Sequence, residues 1–222
     1  MLESGYTKKL IEQFKAALAE VNELRSSNRI EEALEVIQNA FSSMFRLNSM
    51  FFDSVSLSNL IDILKVNGII EKDKAIIISK LLEEEASLYK ELGKENESFY
   101  IYVKAISLFI EAYFCDREAE LTDYLNDIDI IFPRISEYKL PNDVLIKLVC
   151  YFEDKGIYSS SEDMLYEYLE NSNYNTEAIN FSMDFYEKLL KKSDDELECG
   201  NLPRSEIEES LKSLKKSLSS DS

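Results

Sequence analysis

Apolar residues recur at spacings of three and four almost from the start of the chain. Tyr6, Leu10, Phe14, Ala17, Leu18, Val21 and Leu24 form one stripe of an amphipathic helix that stops in the run RSSNR at residues 25–29. Ile30, Ala33, Leu34, Ile37, Ala40, Phe41, Met44 and Phe45 form a second. The loop between them is so short that it demands an antiparallel hairpin. Ser54 or Ser56 is placed to cap a short third helix carrying Leu57, Leu60, Ile61 and Leu64, and Asn67-Gly68 to end it in the left-handed conformation. Longer helices are predicted over 72–92, closed by Gly93, and over 95–115, where a wide stripe from Phe99 to Tyr113 predicts burial on more than one side. The remaining periodicity predicts helices over 117–131, from Pro141 to Gly156, over 159–170, over 175–192 and beyond Pro203, with a break at Pro133. No segment reads as a credible strand. The expected fold class is all-α, an irregular array of antiparallel helix hairpins with about nine or ten helices.

Three of these hairpins share more than periodicity. Aligned on the small residue after each turn, Ala33, Ser98 and Ser161, they lie 65 and 63 residues apart. The turn residue becomes Asn28, Gly93 or Gly156, types that tolerate positive φ. The early packing position becomes Val21, Ala86 or Val149, followed three residues later by Leu24, Tyr89 or Phe152. In the second helix Ile37, Tyr102 and Leu165 supply bulk and Ala40 and Ala105 supply closeness, with Tyr168 breaking the rule. Small residues let two helices approach and large ones fill the groove beside them, which is the alternation of a tetratricopeptide hairpin. The standard repeat is about 34 residues, and twice that exceeds the observed spacing. The pattern therefore predicts an extra short helix or degenerate unit between good copies. It is expected to form a single elongated repeat-like domain over 1–222, with N-terminal hairpins over 1–116, C-terminal hairpins over 117–198, and a terminal turn and helix over 199–222.

Charge narrows the partners. Lys and Arg number 25 against 43 Asp and Glu, a formal charge of -18, which repels a phosphate backbone and argues against nucleic acid. The same charge suits solubility or recognition of a basic partner. Cys115, Cys150 and Cys199 are odd in number and far apart, so neither a disulfide framework nor a zinc site follows; Cys115 and Cys150 sit in apolar stretches and read as buried thiols. The first 20 residues interleave charge with apolar positions unlike a signal peptide, and no run approaches the roughly 20 apolar residues of a membrane span. A cytoplasmic protein without membrane insertion is expected.

Histidine is absent, which removes Ser-His-Asp and Cys-His sites, H-E-x-x-H zinc sites and the Glu-x-x-His ligands of di-iron bundles. Neither phosphate-binding glycine motif occurs. Glu83, Glu84 and Glu85 are consecutive, so they are expected to fan out over different, solvated faces. Asp123, Asn126, Asp127 and Asp129 lack the glycine and distal glutamate of a calcium loop and read as helix surface. Asp194, Asp195 and Glu196 after Ser193 read as a capped helix start, and Arg204 is expected to pin the last helix by pairing with Glu208 or an acid of the body. The residues point to no catalytic group, cofactor-binding group or metal ligand.

The runs RIEEALEVIQNAF, LLEEEASLYKELGKENESF and YVKAISLFIEAY between Asn28 and Tyr113, with FYEKLLKKSDDELECGNLPRSEIEESLKSL near the end, resemble an uncharacterised family of tetratricopeptide-like proteins of low-GC Gram-positive bacteria. The most specific piece is Leu197, Gly200, Leu202, Pro203, Arg204 and Glu206 in L-x-x-G-x-L-P-R-x-E. The resemblance spans nearly the whole chain and implies a helical fold with no activity attached. By fold analogy a groove would be lined by the first helix of each hairpin: Lys15, Asn22 and Arg25, then Lys80, Glu83, Ser87 and Lys90, then Asp143, Glu153 and Asp154. The leading expectation is a non-catalytic protein-interaction or adaptor module with a protein or peptide partner. The alternatives are a regulatory sensor for a peptide or small ligand, and an enzyme using carboxylates with a divalent metal.

Overall fold

A computed structural model describes residues 2–220, except for the side chains at 2–4, 49, 53 and 217–220; Leu218, expected on the last apolar stripe, therefore lies outside the described side chains. The protein is all-α: twelve α-helices, one 3-10 helix and one pair of two-residue strands occur among the described residues. None of these helices is long and apolar enough to cross a membrane. The chain forms two compact units, Met1–Lys139 and Leu140–Ser222.

The first unit contains α1 (Leu2–Ser26), α2 (Ile30–Phe45), α3 (Ser49–Ser54), α4 (Leu57–Ile63), β1 (Lys65–Val66), β2 (Ile69–Ile70), α5 (Lys72–Glu91), α6 (Glu95–Tyr113), a 3-10 helix (Thr122–Asn126) and α7 (Asp127–Ile135). The second contains α8 (Asn142–Asp154), α9 (Tyr158–Asn171), α10 (Thr176–Leu189), α11 (Asp194–Cys199) and α12 (Arg204–Ser220). Residues 117–139, grouped by sequence with the C-terminal hairpins, belong to the first unit.

The three aligned hairpins, α1/α2, α5/α6 and α8/α9, close in the same way. Asn28, Gly93 and Gly156 have φ of 56°, 73° and 71°. Beyond each, a backbone N–H reaches five residues back at 2.9 Å: Arg29 to the Leu24 carbonyl, Lys94 to Tyr89 and Ile157 to Phe152. This is the Schellman closure, and it uses the three positions aligned from sequence. Across the interface Ser98 Oγ donates to the Ala86 carbonyl and Ser161 Oγ to that of Val149, each at 2.7 Å, so neither buried hydroxyl is left without a partner. The first hairpin has Ala33 there instead, fully buried. Helix α5 is buried on several sides, through Ile76, Ile77, Leu81, Leu82 and Leu88, and α6 matches it through Ile106, Leu108, Phe109 and Ile110.

Further elements lie in the intervals between the three aligned hairpins. Between α2 and α5 lie α3, α4 and the strand pair. Asn48 starts α3 by accepting the Phe51 N–H at 2.9 Å, and Phe52 is then buried against Phe41 with ring centroids 4.5 Å apart. Sequence periodicity is blind to a helix this short. Asn67-Gly68 was expected to end a helix but instead turns β1 onto β2; both residues have positive φ, 54° and 79°. Asn-Gly is the preferred pair for such a turn, because its twist matches that of the strands.

Two other expectations change. Residues 117–121 are not helical, and Pro133 lies inside α7 rather than breaking it. The proline forfeits only the hydrogen bond to the carbonyl of residue 129, and α7 ends two residues later. Cys115 and Cys150 are half-buried rather than buried, and Cys199 is exposed. Burial still pushes the Cys150 thiol up, away from the reactive thiolate.

Candidate functional site

Lys80 stands in the middle of α5. Its Nζ lies 2.9 Å from Glu83 Oε2, 2.9 Å from Glu84 Oε1 and 3.0 Å from Asp127 Oδ2 at the start of α7. Residues three and four positions on flank the row above a helical side chain, so both glutamates bend to one ammonium. The expectation that Glu83, Glu84 and Glu85 fan out over solvated faces is corrected here. Glu83 and Glu84 converge, and Glu85, which takes another direction, is fully buried. Asp127, read as helix surface, is 9% exposed.

One ammonium faces three carboxylates in a site that excludes most water. The carboxylates hold Lys80 above the usual lysine range, against the opposing effect of burial. Burial, reinforced by the neighbouring Asp127 charge, pushes Glu83 up to about 7 even though Lys80 pulls the other way. Arg25 of α1 adds a second cation. Its guanidinium lies 3.5 Å from Glu84 Oε2, pairs with Glu91, and donates to Ser87 Oγ at 2.7 Å. Arg134 of α7 donates to the same hydroxyl at 3.4 Å and to Tyr102 Oη.

The cluster sits beneath residues 117–139. That segment enters at Glu120, 3.3 Å from Lys15 Nζ, and the N–H groups of Glu120 and Leu121 both donate to Asp73 Oδ1 at 3.0 Å. Tyr124 meets Phe14 edge-on at 5.4 Å, and Leu121, Ile128, Ile131 and Ile135 are buried. The first-helix face of α1 and α5, which by fold analogy would line any groove, is covered by residues 117–139. Of the residues assigned to that groove, Lys15, Arg25, Lys80, Glu83 and Ser87 are engaged by this cover or by the charge cluster under it. Asn22 and Lys90 remain exposed. The cation between the three carboxylates is the protein's own, and among the described residues no group of three or more His, Cys, Asp and Glu is placed to hold a metal ion.

In the second unit Asp143 and Asp154 of α8 are exposed, while Glu153 is half-buried and lies 3.6 Å from Lys188. A tyrosine–carboxyl hydrogen bond takes the place of the ionic cluster there: Tyr186 Oη donates to Glu162 Oε1 at 2.7 Å, and burial raises both groups. Sequence reasoning missed Glu84, Asp127, Arg134 and Glu162. The Lys80, Glu83, Glu84 spacing was a legible ion-pair signal; the others come from segments remote in sequence.

The L-x-x-G-x-L-P-R-x-E segment has a structural task. Leu197 and Leu202 are fully buried. A Cβ on Gly200 would stand 2.2 Å from the Tyr158 ring and 2.8 Å from the Gly156 carbonyl, and the Gly200 carbonyl accepts the Ser159 N–H at 3.0 Å. The segment thus seats on the α8/α9 turn. Arg204 does not reach Glu208: it pairs with Asp194 at 2.5 Å and donates to the Leu190 and Lys192 carbonyls at 3.0 and 2.6 Å, holding the end of α10. Ser193 closes a full capping box with Glu196 at the start of α11, as its sequence predicted. A family model spanning this motif matches residues 1–219. The chain belongs to DUF6483, a family of unknown function. No curated protein and no solved structure matches it.

Proposed function

We propose that this protein is a non-catalytic, cytoplasmic protein-interaction module, an adaptor built on tetratricopeptide-like hairpins. The observation that carries the reading is the covered face of α1 and α5. There the chain holds a helical segment of its own through contacts that a bound partner segment would make. A carboxylate meets Lys80, two backbone N–H groups meet Asp73, an aromatic ring meets Phe14, and an arginine meets Ser87. With residues 117–139 in place, Lys80 is closed to a partner. The accessible positions are Asn22 and Lys90 in the first unit and Asp143 and Asp154 in the second. The absence of histidine and of a phosphate-binding loop supports the non-catalytic part of the reading.

Affinity purification of the tagged full chain from its native cell, with quantitative mass spectrometry, tests this. A stoichiometric protein partner is expected. Its recovery should fall at least about tenfold, one charge-assisted contact, with Lys90→Glu or with Asp143→Lys plus Asp154→Lys. Absence of such a partner, or recovery indifferent to both sets of surface changes, overturns the reading.

A further inference from the structure

A cavity of about 590 Å³ opens among the start of α1, the end of α2, and α3 to α5. Its size falls within the roughly 300–1,000 Å³ of small-ligand sites. Its lining is largely apolar: buried Leu10, Met44, Phe52, Leu60, Leu64 and Ile78 lie behind Tyr6, Phe45, Leu47 and Ile63, which are half-buried or exposed. The charged lining is three cations, Lys9, Arg46 and Lys74, and one acid, Glu71. Lys74 is already committed, 2.5 Å from Glu71 and over the Tyr6 ring at 5.5 Å. Lys9 and Arg46 are exposed and form no ion pair with a described residue.

Two uncompensated cations beside an apolar opening stand out in a chain with 43 acidic and 25 basic residues. Arg46 is also held at φ 58°, as the left-handed residue that ends α2. Glycine takes that conformation without strain, and a long cationic side chain does not. A residue kept against its backbone preference at the mouth of a cavity points to a use for its side chain. The walls also discriminate between ligand classes. Besides the cations their polar groups are few: Gln13, Ser43 and Glu71, the last already paired with Lys74, and the Met44 carbonyl already accepts Tyr6 Oη at 3.4 Å, so a peptide drawn inside would find few partners for its amides. A neutral hydrocarbon would leave both cations unused.

We propose that this cavity binds an aliphatic monocarboxylate of the fatty-acid type, with its chain among the apolar walls and its carboxylate at Arg46 and Lys9. The site is independent of the interaction reading above and stands or falls by itself.

Competition binding on the full chain tests it, with dansylated undecanoate as the probe. Saturable one-to-one binding is expected, displaced by dodecanoate, with dodecanol and dodecyltrimethylammonium weaker by about tenfold or more, the value of one charge-assisted contact. Arg46→Gly separates binding from folding. It relieves the left-handed backbone, so the melting temperature should hold or rise, while probe affinity falls about tenfold. Lys9→Glu should lower affinity by a similar factor. The proposal is overturned if the probe does not saturate, if dodecanol competes as well as dodecanoate, or if folded Arg46→Gly binds like the parent. It is also overturned if the chain sediments with phosphatidylglycerol vesicles while dodecanoate fails to displace the probe, since the anion would then belong to a lipid surface.

Discussion

The hairpins α5/α6 and α8/α9 agree where their helices touch and differ on the opposite side of the first helix. Inside, each closes on a left-handed glycine and each buries a serine that donates at 2.7 Å to the carbonyl twelve residues back. Outside, Lys80, Glu83 and Ser87 of α5 are drawn into a charge cluster beneath residues 117–139, whereas Asp143 and Asp154 of α8 face solvent. Hairpin closure and the fate of the outer face are therefore separate matters. The first depends on contacts made within some thirty residues, and the second on whatever segment returns to the face.

The sharpest way to break the contrast is to remove the cation that binds the cover. Lys80→Met leaves Glu83, Glu84 and Asp127 without their shared partner in a buried site, and should cost the first unit about 3–5 kcal/mol. Hydrogen exchange should show residues 117–139 losing protection while the α8/α9 turn keeps it. A Lys80→Met protein with undiminished protection over 117–139 would show that the apolar contacts of Leu121, Ile128, Ile131 and Ile135 hold the cover unaided.

The next effect is read in pH. Folded Glu83 keeps its proton up to about 7, whereas its ordinary value is 4.5, so between these values the native state binds more protons than the unfolded chain. Stability contributed by this group therefore falls as pH rises through that window and is level above it, by up to about 3 kcal/mol. Glu83→Gln lacks the titration. Urea denaturation of both proteins should show the parent losing ground to the variant between pH 4.5 and about 7. Parallel pH curves for parent and variant would contradict the assignment.

The smallest expected effect bears on the shared interior. Ser98→Ala and Ser161→Ala each delete one buried hydrogen bond and should each cost about 1 kcal/mol. Because the two hydroxyls have the same geometry, the two costs should agree closely. A large cost in one hairpin and none in the other, by chemical denaturation, would mean that the likeness of the turns does not extend to their energetics.

Much of the fold is legible in the sequence. Alignment of Ala33, Ser98 and Ser161 placed Asn28, Gly93 and Gly156 at positive φ, and Leu24, Tyr89 and Phe152 turn out to be the acceptors of the closing hydrogen bonds. Ser193 announced α11, and Ser56 starts α4 by accepting the Asn59 N–H at 3.3 Å. Asn67-Gly68 was read as a helix end, because the two-residue strands it joins carry too little alternation to announce a hairpin turn. The candidate site was read only in part. Arg25, Lys80, Glu83 and Ser87 were singled out, in the polar rows of two successive first helices, as the lining of a possible groove.

Local chemistry thus settled the helices, their caps and the register of each hairpin, since those interactions join residues a few to a dozen positions apart and leave a periodic trace. Tertiary structure decided which polar residues are solvated and what pairs with them. Lys80 meets Asp127 across 47 positions, and Arg134 reaches Ser87 across the same distance. Such contacts depend on where a returning segment lands. The periodicity of either partner holds no record of it, so a row of charges that looks like a solvated surface can lie at the centre of a buried ionic cluster.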